Sequence, residues 1–229
     1  MQRVAVIIPA LNESAGLLRT LPALQRLGVG RIIVADNGST DDTATVARTH
    51  GATVVSEQQR GYGAACQAGI AALSPRDEVV VFMDADASDD PDSLPRLVGP
   101  ILSGDADLVI GCRDPARSEA GALTLQQRWG NWLAGRLIRL RWGFAYRDLG
   151  PFRAIRRDSL TRLRMTDRAF GWTVEMQIRA LQEKLRIVQI EVPYRRRVGR
   201  SKISGTIKGT LLAGYWILKT IARHWPRKD

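Results

Sequence analysis

Cysteine and histidine are scarce in this sequence of 229 residues. The two cysteines, Cys66 and Cys112, cannot build a disulfide framework. Together with the two histidines, His50 and His224, they offer no spacing typical of a zinc site. The start of the chain also lacks the charged head, long apolar stretch and small-residue cleavage site of a signal peptide. These absences favour a reducing, cytosolic setting.

Lysine is absent from the first 112 residues, and the charges are divided unevenly along the chain. Residues 1–112 carry 8 Lys and Arg against 14 Asp and Glu, whereas residues 113–229 carry 26 against 9. An acidic half can hold a cation, and a basic half can meet nucleic acid, a phosphorylated substrate or a membrane surface. The apolar share of 45% is ordinary for a folded protein and excludes a disordered chain.

Short apolar runs alternate with helical spacings through residues 1–112. The predicted strands are 4–9, 31–35, 52–56, 78–83 and 106–111, and the predicted helices are 11–27, 40–50, 61–73 and 91–102. This alternation predicts a single α/β domain over residues 1–229, with a mostly parallel sheet and helices on both faces. In such sheets ligands bind beyond the carboxyl ends of the strands. The polar residues expected there are Asn12, Glu13, Asp36, Asp84, Asp86 and Arg113.

The second half is basic and less regular. Its predicted helices are 123–140 and 173–184, and its predicted strands are 152–154 and 187–192. An apolar stretch follows at 207–221, but only ten residues separate Lys208 from Lys219. A membrane-spanning helix needs about 20 apolar residues, so we expect no span here. The stretch suits either a helix lying in the membrane interface or a terminal helix packed on the domain.

The strongest chemical signal is a pair of carboxylates in Asp84-Ala85-Asp86, directly after an apolar strand. Hard oxygen ligands at this spacing suit Mg²⁺ or Mn²⁺ bound jointly with a diphosphate. Taken alone, the pair is equally compatible with a solvated acidic turn, because three more aspartates follow within six residues.

Other motifs accompany this pair in order along the chain, at residues 9–13 (PALNE), 34–41 (VADNGSTD) and 61–63 (GYG). Together they resemble the family 2 glycosyltransferases, which have the GT-A fold, and the resemblance covers nearly the whole chain. It implies that residues 1–112 bind a nucleotide-sugar donor, with Glu13 and Asp36 contacting the ribose and base. Asn37 departs from the pattern, because a second aspartate is usual there.

The resemblance implies that Asp84 and Asp86 hold the metal and the diphosphate. Close packing of a helix against the sheet would also explain the glycines of residues 61–63. The donor-binding residues expected from the resemblance are Pro9, Asn12, Glu13, Asp36, Gly61, Asp84, Ala85 and Asp86.

The basic half, residues 113–229, resembles a narrower group, the polyprenyl-phosphate glycosyltransferases related to dolichyl-phosphate mannose synthase. The resemblance rests on residues 111–113 (GCR), 128–131 (RWGN) and 197–202 (RVGRSK). It implies an undecaprenyl or dolichyl phosphate acceptor, and peripheral attachment to the cytoplasmic face of a membrane, directly or through a membrane partner protein. The residues implied to neutralise the donor diphosphate and the acceptor phosphate are Arg113, Arg128, Arg197, Ser201 and Lys202.

A phosphate acceptor would need no strong base, because a monoester with a second pKa of about 6 is largely dianionic at neutral pH. We therefore expect Asp86, through the metal, and Arg113 to offset charge on the leaving diphosphate. Displacement from the opposite face would invert the anomeric centre, as the family resemblance also implies. A hydroxyl acceptor would instead require a carboxylate base, for which Asp148 and Glu175 are the candidates. Either carboxylate could equally be a structural partner of nearby arginines.

Two other protein classes explain less of the sequence. A nucleotidyltransferase would favour a glycine-rich loop with a basic residue after the first strand, where residues 9–13 (PALNE) stand instead. A nucleic-acid-binding module would suit Trp129, Trp132 and Trp142, which lie among arginines, but it leaves the aspartate pair unexplained. Within the preferred class, UDP- and GDP-linked sugars both remain open as donors.

Overall fold

The computed structural model describes residues 1–114, 116–122, 125–199 and 207–225. Its strands are β1 (Val4–Ala10), β2 (Arg31–Asp36), β3 (Thr53–Ser56), β4 (Val79–Phe82), β5 (Leu108–Arg113), β6 (Arg153–Arg156) and β7 (Ile187–Val192). They form one sheet in the order β3-β2-β1-β4-β6-β5-β7. All neighbouring pairs are parallel except those that β6 makes with β4 and β5. The predicted mostly parallel α/β sheet is confirmed.

Helices cover both faces of this sheet, as predicted. They are α1 (Ser14–Arg26), α2 (Thr43–Thr49), α3 (Tyr62–Ala71), α4 (Leu94–Leu102), α5 (Leu125–Trp142), α6 (Arg157–Leu163), α7 (Trp172–Gln182) and α8 (Ile207–His224). Alternate residues of a strand point to opposite faces, so the apolar runs supply two cores. Val6 and Ile8 face the core beneath α1, α2 and α4, whereas Ile7 faces the core beneath the other helices.

Two of the helices that begin later than the sequence predicts do so because the residues before them are used in loops. The helix predicted from residue 11 begins at Ser14, after Asn12 adopts a left-handed conformation with φ of 50°. The helix predicted from residue 40 begins at Thr43, because Thr40 is bonded to the first-strand loop. Both helix starts therefore lie at the carboxyl edge of the sheet, next to the predicted donor residues.

Helix α8 packs against α5 and α7. Ile221 is buried in the core, and the buried hydroxyl of Thr220 lies 3.5 Å from an oxygen of Asp167. Within the described ranges, no helix combines the length and the apolar character that a membrane crossing requires.

Candidate functional site

Asn12 joins the loops that follow β1 and β2. Its side-chain oxygen accepts the backbone N–H of Thr40 at 2.7 Å, and its own N–H donates to the hydroxyl of Ser39 at 2.9 Å. Asp36 closes the second loop by accepting the N–H of Ser39 at 3.0 Å. Since β1 and β2 are parallel neighbours, Glu13 and Asp36 lie at the same edge of the sheet, where the sequence predicts the ribose and base.

Asn37 is buried and holds the chain that follows β3. Its Nδ2 donates to the carbonyl oxygens of Glu57 and Gln59 at 3.0 and 2.7 Å, and its Oδ1 accepts the N–H of Gly61 at 2.8 Å. A carboxylate could accept from Gly61, but it could not donate to two carbonyls. This pattern gives a physical reason for asparagine at the position where aspartate is usual.

Replacing that amide by a carboxylate should destabilise the fold. We expect Asn37→Asp to lower the free energy of unfolding by about 1–3 kcal/mol, because the carbonyls of Glu57 and Gln59 lose their donor and face a charge. Urea denaturation measures the change. Gln59→Glu adds the same charge on an exposed neighbouring side chain and should leave stability close to that of the wild type. Equal midpoints for Asn37→Asp and the wild type would contradict the assigned role.

Three carboxylates crowd the loop that follows β4. Asp86 accepts the N–H of Ser88 at 3.0 Å with Oδ1, and its Oδ2 lies 3.3 Å from Nη1 of Arg197. Asp89 accepts the backbone N–H of Asp84 at 3.0 Å. Burial raises the pKa of Asp84 well above its ordinary value, and Asp86 and Asp89 raise this pKa further. Burial also raises the pKa of Asp89 to about 7.

These carboxylates fit a divalent metal only if a ligand completes the coordination. Among the residues that the structure describes, no three His, Cys, Asp or Glu side chains converge closely enough to hold a metal ion alone. Mg²⁺ is commonly bound by one or two carboxylates, with the remaining positions taken by phosphate oxygens and water. Asp84 and Asp86 supply such a donor set, and their mutual repulsion would be relieved by a cation.

Helix α1 lies against this loop at Gly16. A Cβ atom on Gly16 would lie only 2.2 Å from the carbonyl oxygen of Ala85 and 2.9 Å from the Cα of Asp86. Glycine at this position therefore allows helix α1 to pack directly against the backbone of Ala85 and Asp86. The contact of Ala85 with a donor stays a prediction, whereas its packing against α1 is observed.

We expect Gly16→Ala to displace the carboxylate loop. Overpacking against backbone atoms should cost about 1–3 kcal/mol of stability, and metal-dependent binding of a nucleoside diphosphate should weaken. Calorimetric titration with UDP and Mn²⁺ measures the binding. Gly99→Ala is the matched control, because Gly99 lies in helix α4 with no atom within 4 Å of the added methyl group. The role fails if the two variants bind UDP equally well.

Asp148 holds Arg113 in place. Nε and Nη2 of Arg113 donate to the two carboxylate oxygens at 2.6 and 2.5 Å, and the backbone N–H of Arg113 adds a third bond at 2.9 Å. Asn131 donates to Asp148 at 2.8 Å, and the guanidinium lies 5.1 Å from the ring centre of Tyr194. Burial alone would raise the pKa of Asp148, but the charge and hydrogen bonds of Arg113 hold this pKa below its ordinary value.

Glu175, the other candidate base, also forms hydrogen bonds and an ion pair within the protein, and it lies on α7 rather than after a strand. This buried carboxylate accepts the backbone N–H groups of Thr166 and Asp167 and pairs with Nε of Arg179 at 2.8 Å. Burial would raise the pKa of Glu175, but these hydrogen bonds hold it below its ordinary value. In this structure both candidate bases are therefore paired with an arginine, Asp148 with Arg113 and Glu175 with Arg179.

Gly61 lies at the start of α3, where close packing involves a loop rather than the sheet. A Cβ atom on Gly61 would lie 2.0 Å from the carbonyl oxygen of Arg168, and one on Gly63 would lie 2.2 Å from that of Asp167. The N–H groups of Gly63 and Ala64 donate to carbonyls of the same loop, so these donors are already used. A donor contact at Gly61 remains a prediction.

Of the remaining predicted site residues that are described, the structure brings one, Arg197, into contact with the predicted donor residues. Arg197 pairs with Oε1 of Glu13 at 3.0 Å as well as with Asp86, so it bridges two predicted donor residues. Pro9 lies within β1 and is half-buried, and Arg128 is exposed near the start of α5. The predicted phosphate-binding residues Ser201 and Lys202 lie outside the described residues.

Sequence reasoning missed Arg153, a fully buried arginine in β6 opposite Phe82. It donates to the carbonyl oxygens of Gly150 and Thr173, and so fixes the segment that carries Asp148. A charged residue in the middle of an apolar run was the available signal.

A family model described as glycosyl transferase family 2 matches residues 5–164. An uncharacterized glycosyltransferase of Mycobacterium tuberculosis is 40% identical over 219 residues, covering 92% of this chain and 94% of the relative. The dolichyl-phosphate hexose transferase of Haloferax volcanii is 32% identical, covering 87% and 86%. The undecaprenyl-phosphate mannosyltransferase of Micrococcus luteus is 31% identical, covering 90% of each.

Among solved structures, glucosyl-3-phosphoglycerate synthase of Mycobacterium tuberculosis resembles this chain with a TM-score of 0.79 and 27% identity. The similarity covers 99% of this chain and 81% of that protein. That structure contains Mn²⁺, UDP and glucosyl-3-phosphoglycerate, and another structure of the same protein contains Mg²⁺ and UDP.

Proposed function

The chain belongs to glycosyl transferase family 2, and from this premise we propose that it moves a sugar from a UDP- or GDP-linked donor to a polyprenyl phosphate. It is a glycosyltransferase, and the similarity of its fold to a protein whose structures contain UDP with Mn²⁺ or Mg²⁺ supports a nucleotide-sugar donor with one of these metals. Two relatives bear names that specify dolichyl- or undecaprenyl-phosphate transfer.

The proposed phosphate acceptor is supported by the hydrogen bonds and ion pairs that both candidate bases already make within the protein. A hydroxyl acceptor needs a group that removes its proton, whereas a phosphate dianion attacks without one. Asp148 is bound by the guanidinium of Arg113, and Glu175 is bound by backbone N–H groups and Arg179. Neither carboxylate is available as a base without breaking these contacts, so a phosphate acceptor is favoured.

The outer surface of α5 supports a lipid-linked acceptor. Trp129, Trp132 and Leu140 are 63%, 59% and 78% exposed, and together they form what we call the aromatic face. Residues 125–142 and 207–225 contain arginines and lysines but no Asp or Glu. Exposed tryptophans beside cationic side chains suit the boundary between lipid headgroups and acyl chains. We therefore propose peripheral attachment to the cytoplasmic face of a membrane.

The chain's own residues would divide the work of transfer. Asp36 and Glu13 would orient the nucleoside, and Asp84 and Asp86 would hold the metal, which supplies positive charge at the diphosphate when bound. Arg113, fixed by Asp148, would present an oriented guanidinium to phosphate oxygens at no further ordering cost. Attack from the face opposite the diphosphate would invert the anomeric centre.

The direct test offers purified protein a panel of radiolabelled UDP- and GDP-sugars with Mn²⁺, and either undecaprenyl phosphate or 3-phosphoglycerate. Label that enters the organic phase with undecaprenyl phosphate supports the proposal and identifies the donor. The second acceptor tests the rival that the solved relative suggests, a small hydroxyl compound that bears a phosphate. Label transferred to phosphoglycerate alone would overturn the lipid acceptor and retain the donor site.

Membrane attachment predicts a loss of vesicle binding when the aromatic face is made polar. We expect Trp129→Ser/Trp132→Ser to weaken sedimentation with anionic phospholipid vesicles at least about tenfold, because two large exposed rings no longer enter the interface. Leu102→Ser is the control, since Leu102 is also half-exposed but lies on α4. Equal sedimentation of the wild type and the tryptophan variant would contradict membrane attachment through α5.

A further inference from the structure

Tyr62, the first residue of helix α3, carries a hydroxyl group that is left without a partner. Its oxygen is buried and has no hydrogen-bond partner among the residues that the structure describes. Burial raises the pKa of this hydroxyl well above its ordinary value, and the charge of Asp84 raises the pKa further, so the group keeps its proton at neutral pH. A buried O–H group without an acceptor costs folding free energy, so its presence needs a physical explanation.

Asp84 lies on the same face of the sheet as α3. Phe82 belongs to the core beneath α3 and Met83 to the opposite core, so the alternation along the chain turns Asp84 toward α3. The backbone N–H of Met83 still donates to the carbonyl of Ile7 at 3.1 Å, so this alternation continues past the last residue of β4. Because α3 follows β3, Tyr62 lies at the same carboxyl edge of the sheet.

The carboxylate of Asp84 lacks a hydrogen-bond donor. Its backbone N–H is bonded to Asp89, but neither of its side-chain oxygens accepts a hydrogen bond from the described parts of the chain. Asp86, the other predicted metal ligand, accepts the N–H of Ser88. Carboxylates that hold metals are in general fixed by hydrogen bonds from neighbouring groups. Asp84 therefore needs a donor that the structure has not yet supplied.

Asp84 is also the best acceptor near the Tyr62 hydroxyl. The side chains that act most strongly on the pKa of Tyr62 are Asp84, Cys66, Arg153 and Asp89. A guanidinium cannot accept a hydrogen bond, and a thiol is a weak acceptor. Asp89 already accepts the backbone N–H of Asp84, and it acts on Tyr62 less strongly than Asp84 does. This comparison leaves Asp84 as the acceptor.

We propose that Tyr62 is a positioning residue, whose hydroxyl donates a hydrogen bond to the carboxylate of Asp84 and orients it toward the divalent metal. The inference rests on the proposed function, because it takes Asp84 as a metal ligand. The two groups are neighbours that are not bonded to each other, so the bond forms through rotation of the carboxylate, whose terminal torsion is soft. One oxygen of Asp84 then accepts from Tyr62, and the other is left for the cation.

Tyr62→Phe removes only the hydroxyl, and the proposal predicts that metal binding and stability respond differently. Calorimetric titration of Mn²⁺ into protein saturated with UDP should give an affinity about tenfold weaker than that of the wild type. The unfolding temperature should be unchanged or higher, because the variant removes a buried donor that has no partner. Equal Mn²⁺ affinities of the variant and the wild type would overturn the proposal, whatever the unfolding temperature.

Tyr146→Phe is the matched control. The hydroxyl of Tyr146 is also buried, but it donates to the carbonyl oxygen of Gln177 at 2.9 Å. Its removal should lower the unfolding temperature and leave the Mn²⁺ affinity as in the wild type, the reverse of the result expected for Tyr62→Phe. Equal losses of Mn²⁺ affinity in the two variants would reduce the effect to a general loosening of the core and would also overturn the proposal.

Binding of UDP in EDTA shows which group the hydroxyl serves. We expect Tyr62→Phe and the wild type to bind UDP equally without metal, because the hydroxyl acts on a metal ligand and not on the nucleotide. Weaker UDP binding by Tyr62→Phe in EDTA would assign the hydroxyl to the nucleotide and overturn its role at Asp84, while the donor site would stand. A wild-type protein that binds no Mn²⁺ with UDP would overturn the proposed metal site itself, and that result is obtained without the variant.

Discussion

Asp86→Ala should abolish metal-dependent sugar transfer while the protein remains folded. We expect a loss of at least about a hundredfold in kcat, because the carboxylate that would hold the cation at the diphosphate is removed. Its remaining contacts are modest: Ser88 bonds to one oxygen, and Arg197 keeps a second carboxylate partner in Glu13. Initial rates with saturating donor and Mn²⁺, together with thermal unfolding, measure the two effects.

Asp158→Ala serves as the control for that variant, because Asp158 is an exposed aspartate in the first turn of α6. Its activity and its unfolding temperature should match those of the wild type. Transfer by the wild type that continues unchanged in EDTA would remove the metal from the proposal. Full activity of Asp86→Ala in Mn²⁺ would contradict the proposed role of Asp86 in holding the metal.

Asp148→Asn is expected to be the most destabilising of the conservative variants. The buried guanidinium of Arg113 would lose its charged partner, and breaking a buried pair in this way costs about 3–5 kcal/mol. We also expect weaker binding of UDP, because Arg113 would no longer be held at the strand end. Urea denaturation and calorimetry measure both quantities on the same preparation.

The pH dependence separates this role from that of a base. The pKa of Asp148 is lowered in the folded protein, so its stabilising contribution is present at neutral pH and is lost as pH falls through that pKa. The difference in stability between the wild type and Asp148→Asn should therefore shrink below pH of about 4. A variant that loses transfer but keeps its stability and its UDP affinity would instead identify Asp148 as a base for a hydroxyl acceptor.

Much of the fold could be predicted because its strands are short, apolar and separated by turn residues. Val4–Ala10 and Arg31–Asp36 have the expected positions within one residue. The position of β6 between β4 and β5 could not be predicted. Its apolar pattern indicates a strand, but nothing local in a four-residue segment specifies its neighbours or its antiparallel direction. Helix α6 was missed because residues 157–163 are mostly polar.

The donor edge of the site was predictable for a different reason. Carboxyl ends of parallel strands converge, so knowing the strands places Asp36, Asp84 and Asp86 at one edge without knowledge of distances. Contacts between distant parts of the chain left no such signal. The pairing of Arg197 with Glu13 joins residues 184 positions apart, and Asp148 could be recognised as a partner of Arg113 only from the geometry of both.

The place of β6 has a consequence for the order in which the protein can fold during synthesis. β4 exposes an unpaired edge until β6 has left the ribosome, and β5 has no neighbour until then, because its partners are β6 and β7. A nascent chain of 112 residues thus holds the donor carboxylates on an incomplete sheet with an open hydrogen-bonding edge. We therefore expect that the acidic half does not fold by itself, and that a fragment ending at residue 112 aggregates or is bound by chaperones.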